Sequence, residues 1–306
     1  MGFLKGYTKQ EISWMMYDWA NSAHSVIVVT LLPIFFDSVA SYTADSVSSM
    51  STWGYATSIA MAIVALAAPF LGVFGDIRGM RKRLFALFMG VGVVAVALLS
   101  FTPLMDFTSS TAAAGRVAGL ILALYIVSVI GFDASAIYYD AFLTDITTED
   151  RMDRVSTMGY GLGYIGGSTI PLVIFLVMNL VGIPMLTCLA VIFAVTAVWW
   201  LGFSLPLLKN CRQTSGKPYE KGDVGRSIRG VGATIREIIA NKPMLVYILA
   251  YFFYIDGVHT VISMATTYGT NLGLDSTGML LALLLVQVLG LPFCLLYIRL
   301  SARFGA

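Results

Sequence analysis

Charged side chains are scarce in this sequence. Asp, Glu, Lys and Arg make up only 12% of its 306 residues, whereas a soluble globular domain has about a quarter. Hydrophobic residues account for 58% of the chain, and its mean hydropathy is +0.83. These values exclude a water-soluble globule. The net charge of +2 is too small to favour a nucleic-acid partner, so we expect none.

Histidine and cysteine are also few, with two and three copies. Cys188, Cys211 and Cys294 are far apart, and their spacing fits neither a disulfide framework nor a metal site. The sequence has no Gly-Lys-Ser/Thr loop of the kind that binds nucleotide phosphates, and no cluster of Cys and His. We therefore expect no enzyme, no cofactor and no bound metal.

Long apolar runs dominate the chain instead. Eight of them have about the 20 residues that a helix needs to cross a bilayer. They cover residues 14–36, 53–75, 84–104, 117–142, 159–181, 184–208, 244–268 and 277–298. Helices are the economical structure, because backbone groups find no water in hydrocarbon and the alternating pattern of a barrel is absent. The expected fold class is an all-α integral membrane bundle of about eight transmembrane helices.

The basic residues predict the orientation of these spans. If the N-terminus is cytoplasmic, all but Arg116 of the 19 Lys and Arg lie on the cytoplasmic side. We therefore expect a multi-pass protein with a cytoplasmic N-terminus. The compact loops are typical of a bacterial plasma membrane.

One long polar stretch separates six spans from two. It predicts a six-helix N-terminal half (1–208), a basic cytoplasmic linker (209–243) and an incomplete C-terminal half of two helices (244–306). Apolar residues recur at helical spacing in the linker, at Ile228, Val231, Ile235 and Ile238. They predict an amphipathic helix, which would lie either on the anionic inner leaflet or under the bundle as a solvated linker helix.

The first and seventh spans share a short pattern. Asn21-Ser-Ala-His24-Ser-Val-Ile in the first corresponds to Asp256-Gly-Val-His259-Thr-Val-Ile in the seventh. Two halves related as parallel repeats are common in secondary transporters. The pattern therefore favours a transporter-like architecture.

The loop between the second and third spans carries a family resemblance. It reads Gly72-x-x-x-Asp76-x-x-Gly79-x-Arg81-Lys82 and resembles the signature loop of the major facilitator superfamily. Residues 17–23, 138–146, 153–156 and 159–167 narrow the likeness to the vacuole effluxer-like branch, which is related to the autophagy-associated vacuolar amino-acid exporters of fungi. The resemblance covers the whole chain. Members of the superfamily have twelve spans, so this sequence lacks the last four expected.

The resemblance implies secondary active transport by alternating access, with amino-acid efflux as the expected function. It makes the signature-loop residues Gly72, Asp76, Gly79, Arg81 and Lys82 a cytoplasmic gate; the alternative is a purely topogenic basic cluster. The rival functions are a lipid or lysolipid flippase and a truncated, non-transporting membrane protein. Expected partners are the lipid bilayer, a small-molecule solute, protons and a partner chain that supplies the missing helices.

Several polar side chains interrupt the apolar spans, where ionisable groups are costly and are functional candidates by default. Asp18 and Asn21 share one helical face of the first span, and Asp133 and Asp140 share one face of the fourth. We expect a central cavity for solute and protons, lined by Asp18, Asn21, Asp133, Tyr138, Asp140, Asp256 and His259. The alternative is that these groups form interhelical hydrogen bonds that hold the bundle together.

Small residues in the fifth span predict close helix packing. Gly159, Gly163 and Gly167 are four residues apart and share one face. Such spacing lets a second helix approach closely in a membrane.

Overall fold

The computed structural model describes residues 4–43, 46–216, 218 and 223–304, and its regular structure is helical. The α-helices are α1 (Lys9–Ala40), α2 (Ser46–Gly75), α3 (Met80–Leu99), α4 (Thr111–Ile146), α5 (Met152–Leu162), α6 (Thr169–Leu180), α7 (Met185–Asn210), α8 (Asp223–Ala240), α9 (Lys242–Asn271) and α10 (Ser276–Phe304). A π-helical turn (Gly163–Ser168) joins α5 to α6 in one span. Eight segments of the described chain are long and apolar enough to cross a membrane. The predicted all-α membrane fold is confirmed.

The start of α1 is fixed by a capping box. The Thr8 hydroxyl accepts the Glu11 N–H at 3.2 Å, and the Thr8 N–H donates to the Glu11 carboxylate at 2.7 Å. The same carboxylate accepts two hydrogen bonds from the Arg151 guanidinium, at 2.9 and 2.8 Å. Glu11 thereby ties the beginning of α1 to the connection between α4 and α5.

The N-terminal bundle is built around α1, which packs against α4, α5, the π-helical turn and α7. On the other side of the bundle, α3 packs against α4 and α7, and α2 packs against α4. The α3–α4 contact is close because Gly92 faces Gly131: an ideal Cβ on Gly131 would lie 2.6 Å from the Gly92 nitrogen.

The fifth span differs from its predicted boundaries. The apolar run begins at residue 159, whereas a 3₁₀ turn starts at Glu149 and α5 starts at Met152. The first residues of α5 are polar, for example Asp153 and Arg154, so the apolar pattern did not predict that the helix begins there. Backbone hydrogen bonding continues a helix beyond its apolar surface. For the same reason α4 extends beyond the predicted limits of 117 and 142. The π-helical turn was not predicted.

The helices that follow the linker pack against the first six spans. α9 contacts α1 and α2, while α10 contacts α5, the π-helical turn and α6. The linker helix α8 contacts α2 and α9. Ile235 of α8 is exposed and Ile238 is partly buried, whereas the side chain of Ile228 lies outside the described residues.

Candidate functional site

Two carboxylates lie within electrostatic range of each other where α1, α4 and α5 meet. Asp18 of α1 is only 7% exposed, and its Oδ2 accepts a hydrogen bond from the Tyr139 hydroxyl at 2.8 Å. Asp140 follows Tyr139 in α4. It is exposed and lies within electrostatic range of Asp18. The buried carboxylate of Asp18 therefore has the accessible carboxylate of Asp140 within electrostatic range.

Aromatic packing holds the Tyr139 hydroxyl on Asp18. The ring of Trp14 stacks on that of Tyr139 with centroids 4.2 Å apart, and the Trp14 indole N–H donates to the Tyr139 carbonyl at 2.8 Å. Tyr17 also packs against Tyr139, with the two ring centroids 4.8 Å apart. Tyr139 was not among the predicted site residues, because an aromatic residue in a span is usually part of the core.

Glycines let the fifth span pack directly against the Asp18 carboxylate. An ideal Cβ on Gly159 would lie 2.4 Å from Asp18 Oδ2, and one on Gly163 would lie 2.5 Å from the Ser22 hydroxyl. Gly167 lies against the backbone of Trp19, at 2.4 Å from its carbonyl oxygen by the same construction. The glycine face therefore lies directly against α1. The π-helical turn at this contact is a feature that often accompanies functional sites.

A groove of about 550 Å³ runs between the fifth span and α10. Its walls include Thr157, Tyr160 and Tyr164 on the α5 side and Phe293, Cys294 and Tyr297 on α10. None of the residues that line it is charged. Tyr160, in the wall of the groove, lies within electrostatic range of both Asp18 and Asp140. Sequence reasoning missed Tyr160, which only the α5–α10 contact identifies.

Three other predicted cavity residues lie in the N-terminal bundle and do not contact the Asp18 carboxylate among the described hydrogen bonds. Asn21 is buried beside Tyr17. Asp133 is partly buried, and its Oδ2 has no hydrogen-bond partner among the described residues. The Tyr138 hydroxyl donates to the Leu71 carbonyl at 3.0 Å, which places this side chain between α4 and α2. The Asp18 carboxylate is contacted by the neighbouring Tyr139, and the role of Tyr138 in a solute pathway stays a prediction.

The acid and histidine of the seventh span lie apart from this pair. Asp256 and His259 are exposed on α9, and no contact of either with Asp18 is seen within the described part of the chain. Their role in a proton pathway stays a prediction. The first-span histidine, His24, is 2% exposed and packs between Phe132 and Trp200, with ring centroids 4.8 and 5.0 Å away.

The predicted gate loop is organised by Arg81. This buried guanidinium contacts Asp145 at the end of α4, donates to the Ala141 carbonyl at 2.9 Å and lies 3.6 Å from a carboxylate oxygen of Asp76. Lys82 donates to the Leu208 carbonyl at 2.8 Å. Gly79 has φ +82°, a left-handed conformation that favours glycine. Arg81 therefore joins the loop to α4, and Lys82 joins it to α7.

The first residues of the linker are hydrogen-bonded to the same loop. The Gln213 amide oxygen accepts the N–H groups of Gly79 and Arg81 at 2.8 and 3.3 Å, and its nitrogen donates to the Gly75 carbonyl at 3.0 Å. Asp145 Oδ1 accepts four hydrogen bonds of 2.8–3.0 Å, from the backbone N–H and hydroxyl groups of Thr214 and Ser215. We call residues 213–215 the linker anchor. No sequence motif indicated it.

Replacing the acceptor of the anchor should release the linker. In Asp145→Ala we expect trypsin to cleave after the exposed Arg212 at least about tenfold faster, a change of about 1.4 kcal/mol in local opening. The four linker hydrogen bonds vanish, and the buried Arg81 loses a charged partner, which is strongly destabilising. Gel densitometry of timed digests measures the rate. Asp150→Ala, at an exposed position of the nearby turn, should leave it unchanged; an unchanged rate in Asp145→Ala would contradict the anchor.

The three cysteines should differ sharply in reactivity. Cys188 and Cys211 are buried, and burial raises the pKa of the Cys211 thiol to about 11, whereas Cys294 lines the α5–α10 groove. Because the thiolate is the reactive form, we expect N-ethylmaleimide at pH 7.5 to modify Cys294 alone in the folded protein. Peptide mass spectrometry locates the label. Persistent labelling of a Cys294→Ser variant would contradict the assigned burial.

Sequence comparison identifies the family. The family model described as "Vacuole effluxer Atg22 like" matches residues 42–306. An "Uncharacterized MFS-type transporter YxiO" of Bacillus subtilis is 39% identical over 98% of this chain and 69% of its own length. "Autophagy-related protein 22-1" of Penicillium rubens is 26% identical over 45% of this chain and 25% of its own length.

Two solved structures share the fold. A D-xylose-proton symporter superposes with a TM-score of 0.66 at 14% identity, covering 97% of this chain and 69% of that one. The xylose transporter XylE from E. coli, in a partially occluded inward-open conformation, superposes with a TM-score of 0.62 over 97% of this chain and 73% of that one. At this identity the likeness concerns the fold, which is that of multi-pass MFS transporters.

Proposed function

Because the chain belongs to the Atg22-like vacuole effluxer family of MFS-type transporters, we propose that it is a proton-coupled carrier of amino acids. Transport proceeds by alternating access, with the helices before and after the linker moving against each other around one site. The direction we propose is efflux. Membrane carriers of this type are not enzymes, and their partners are the bilayer and a small solute.

The observation that carries this proposal is the acid pair, which lies within electrostatic range of Tyr160 in the wall of a groove between the two parts of the chain. Asp18 and Asp140 belong to α1 and α4, while the far wall of the groove belongs to α10. A movement of α10 relative to α5 changes access to the groove. Rigid-body movement around a fixed central site is the general mechanism of secondary transporters.

The chemistry of the site fits a solute that carries an ammonium group. The acids supply negative charge, and Tyr160, Tyr164 and Tyr297 offer aromatic faces and hydroxyl groups, while no basic side chain lines the groove. A cation over a Tyr ring is attracted by the ring quadrupole. The α-amino group of an amino acid would lie near the acid pair, with its side chain along the apolar groove.

Proton coupling is assigned to the buried member of the pair. Asp18 has a single described partner, the Tyr139 hydroxyl, and no basic side chain contacts it within the described residues. An unpaired buried carboxylate is stable when protonated and costly when ionised. Binding of a cationic ammonium group favours the ionised form, so arrival of the solute releases the proton.

The gate is assigned to the loop before α3 and the linker anchor. Both lie on the side that carries most of the basic residues, which the positive-inside rule places in the cytoplasm. With the N-terminus on that side, the network of Asp76, Arg81 and Asp145 lies at the cytoplasmic ends of α2, α3 and α4. Its contacts join the helices that would have to separate when the gate opens.

Counterflow in proteoliposomes tests the proposal. Vesicles loaded with one unlabelled amino acid are diluted into a trace of the same labelled compound, and accumulation above that of protein-free vesicles reports exchange. We expect exchange with at least one amino acid, and the exchanging compounds should slow maleimide labelling of Cys294. Movement of a fluorescent lysolipid with no amino-acid exchange would contradict the proposal and favour a flippase.

A further inference from the structure

A second groove lies where α1 begins and α7 ends. It has a volume of about 460 Å³ and is lined by Lys9, Gly202, Leu205, Pro206, Lys209 and Asn210. Both helices are membrane spans, so the groove lies at one end of the bundle, where apolar helix surface meets the polar connections. It is separate from the α5–α10 groove and shares no lining residue with it.

The rim of this groove carries two positive charges without acidic partners. Lys9 and Lys209 are exposed, and neither forms an ion pair within the described part of the chain. Glu11, the acid nearest to Lys9 in sequence, is bound by Arg151 at 2.8 Å. Asn210 is held in the groove wall by its hydrogen bond to the Ser13 hydroxyl at 2.8 Å. The rim is therefore suited to an anion.

The floor of the groove is apolar and open. An ideal Cβ on Gly202 would meet no atom within 4 Å, and Leu205, one turn further along α7, is 54% exposed. Gly202 thus leaves a notch in the outer face of a spanning helix, about two turns before Lys209 on α7. A ligand for this site must be anionic at one end and apolar at the other.

We propose that this groove binds an anionic phospholipid, with the phosphate between Lys9 and Lys209 and an acyl chain in the notch at Gly202. Basic pockets between spans attract anionic headgroups at the membrane surface. Charge and shape both contribute: the lysines select the headgroup, and the notch selects a ligand that is embedded in the bilayer. The site is independent of the transport mechanism proposed above.

Native mass spectrometry of the delipidated full chain in neutral detergent tests the site, with phosphatidylglycerol and phosphatidylcholine as probes. We expect one phosphatidylglycerol molecule to bind more tightly than phosphatidylcholine. Its Kd should rise at least about tenfold in Lys9→Gln/Lys209→Gln, which removes the charges, and similarly in Gly202→Leu, which fills the notch.

Matched variants exclude general effects of charge and of added bulk. Arg83→Gln/Lys242→Gln removes the same charge from exposed positions elsewhere. Gly90→Leu fills a groove of about 490 Å³ on α3 that has no charged lining, and Gly90 also has open space around it. Both controls should bind phosphatidylglycerol as the wild type does. Unchanged Kd in the two test variants, an equal loss in either control, or competition by inorganic phosphate at the lipid's own concentration would overturn the proposal.

Discussion

Asp18→Asn should abolish uphill transport while leaving exchange in place. Asparagine has the shape of aspartate and offers the Tyr139 hydroxyl an acceptor, so the contact at 2.8 Å and the packing below Gly159 are retained. Its amide group does not ionise, so it cannot take up and release a proton as the carboxyl group does. We expect pH-driven accumulation of solute to fall at least about tenfold, a loss of about 1.4 kcal/mol or more in driving free energy, with counterflow within about twofold of wild type.

The matched control is another α1 carboxylate. Asp37 accepts a hydrogen bond from Ser49 and lies about five turns from Asp18. Asp37→Asn makes the same chemical change in the same helix and should leave both assays unchanged. Normal accumulation in Asp18→Asn would remove this residue from the coupling mechanism, and loss of counterflow would show that its charge is also required to bind the ammonium group.

Gly167→Val should strongly destabilise the bundle. An ideal Cβ at this position would lie 2.4 Å from the Trp19 carbonyl oxygen and 2.8 Å from Ser22 Cβ. Backbone of α1 cannot rotate away as a side chain can, so α1 and the π-helical turn must separate. Overpacking of a dense interior typically costs 1–3 kcal/mol, and here we expect about 3 kcal/mol or more. The shift in the midpoint of SDS-induced unfolding, followed by circular dichroism, measures it.

A glycine without close neighbours provides the comparison. Gly119 is an exposed residue of α4, and an ideal Cβ there meets nothing within 4 Å. Gly119→Val should shift the midpoint by less than about 0.5 kcal/mol, the usual range for surface substitutions. Similar midpoints for the two variants would mean that α1 and the fifth span are not in close contact.

Span number was predictable from the sequence, whereas span ends were not. The eight apolar runs are sufficient to predict the number of spans, because the bilayer imposes a minimum length on every crossing helix. The ends of α4 and α5 were missed since polar residues such as Asp153 continue a helix beyond the hydrocarbon. At the π-helical turn, Gly166 and Gly167 pack against Trp19. The sequence alone does not show which residue these glycines contact.

The candidate site was predictable in part. Asp18 and Asp140 are unusual in apolar spans and were identified by that property alone. Tyr139, Tyr160 and Gln213 were missed, because tyrosine and glutamine are common in structural positions and their roles depend on contacts between distant segments. Tyr138 was predicted and its neighbour Tyr139 was not, since one step along a helix turns a side chain by 100° and sequence alone does not show which of the two faces α1.

The central claim is that this chain couples amino-acid movement to protons at Asp18. The most direct measurement follows internal pH with an entrapped fluorescent dye while an amino acid found to exchange in counterflow is added outside wild-type proteoliposomes. We expect that a pH change accompanies solute entry, that a protonophore removes it, and that Asp18→Asn shows solute exchange with no pH change. Entry of the amino acid into wild-type vesicles without any change in internal pH would show that its transport is not coupled to protons.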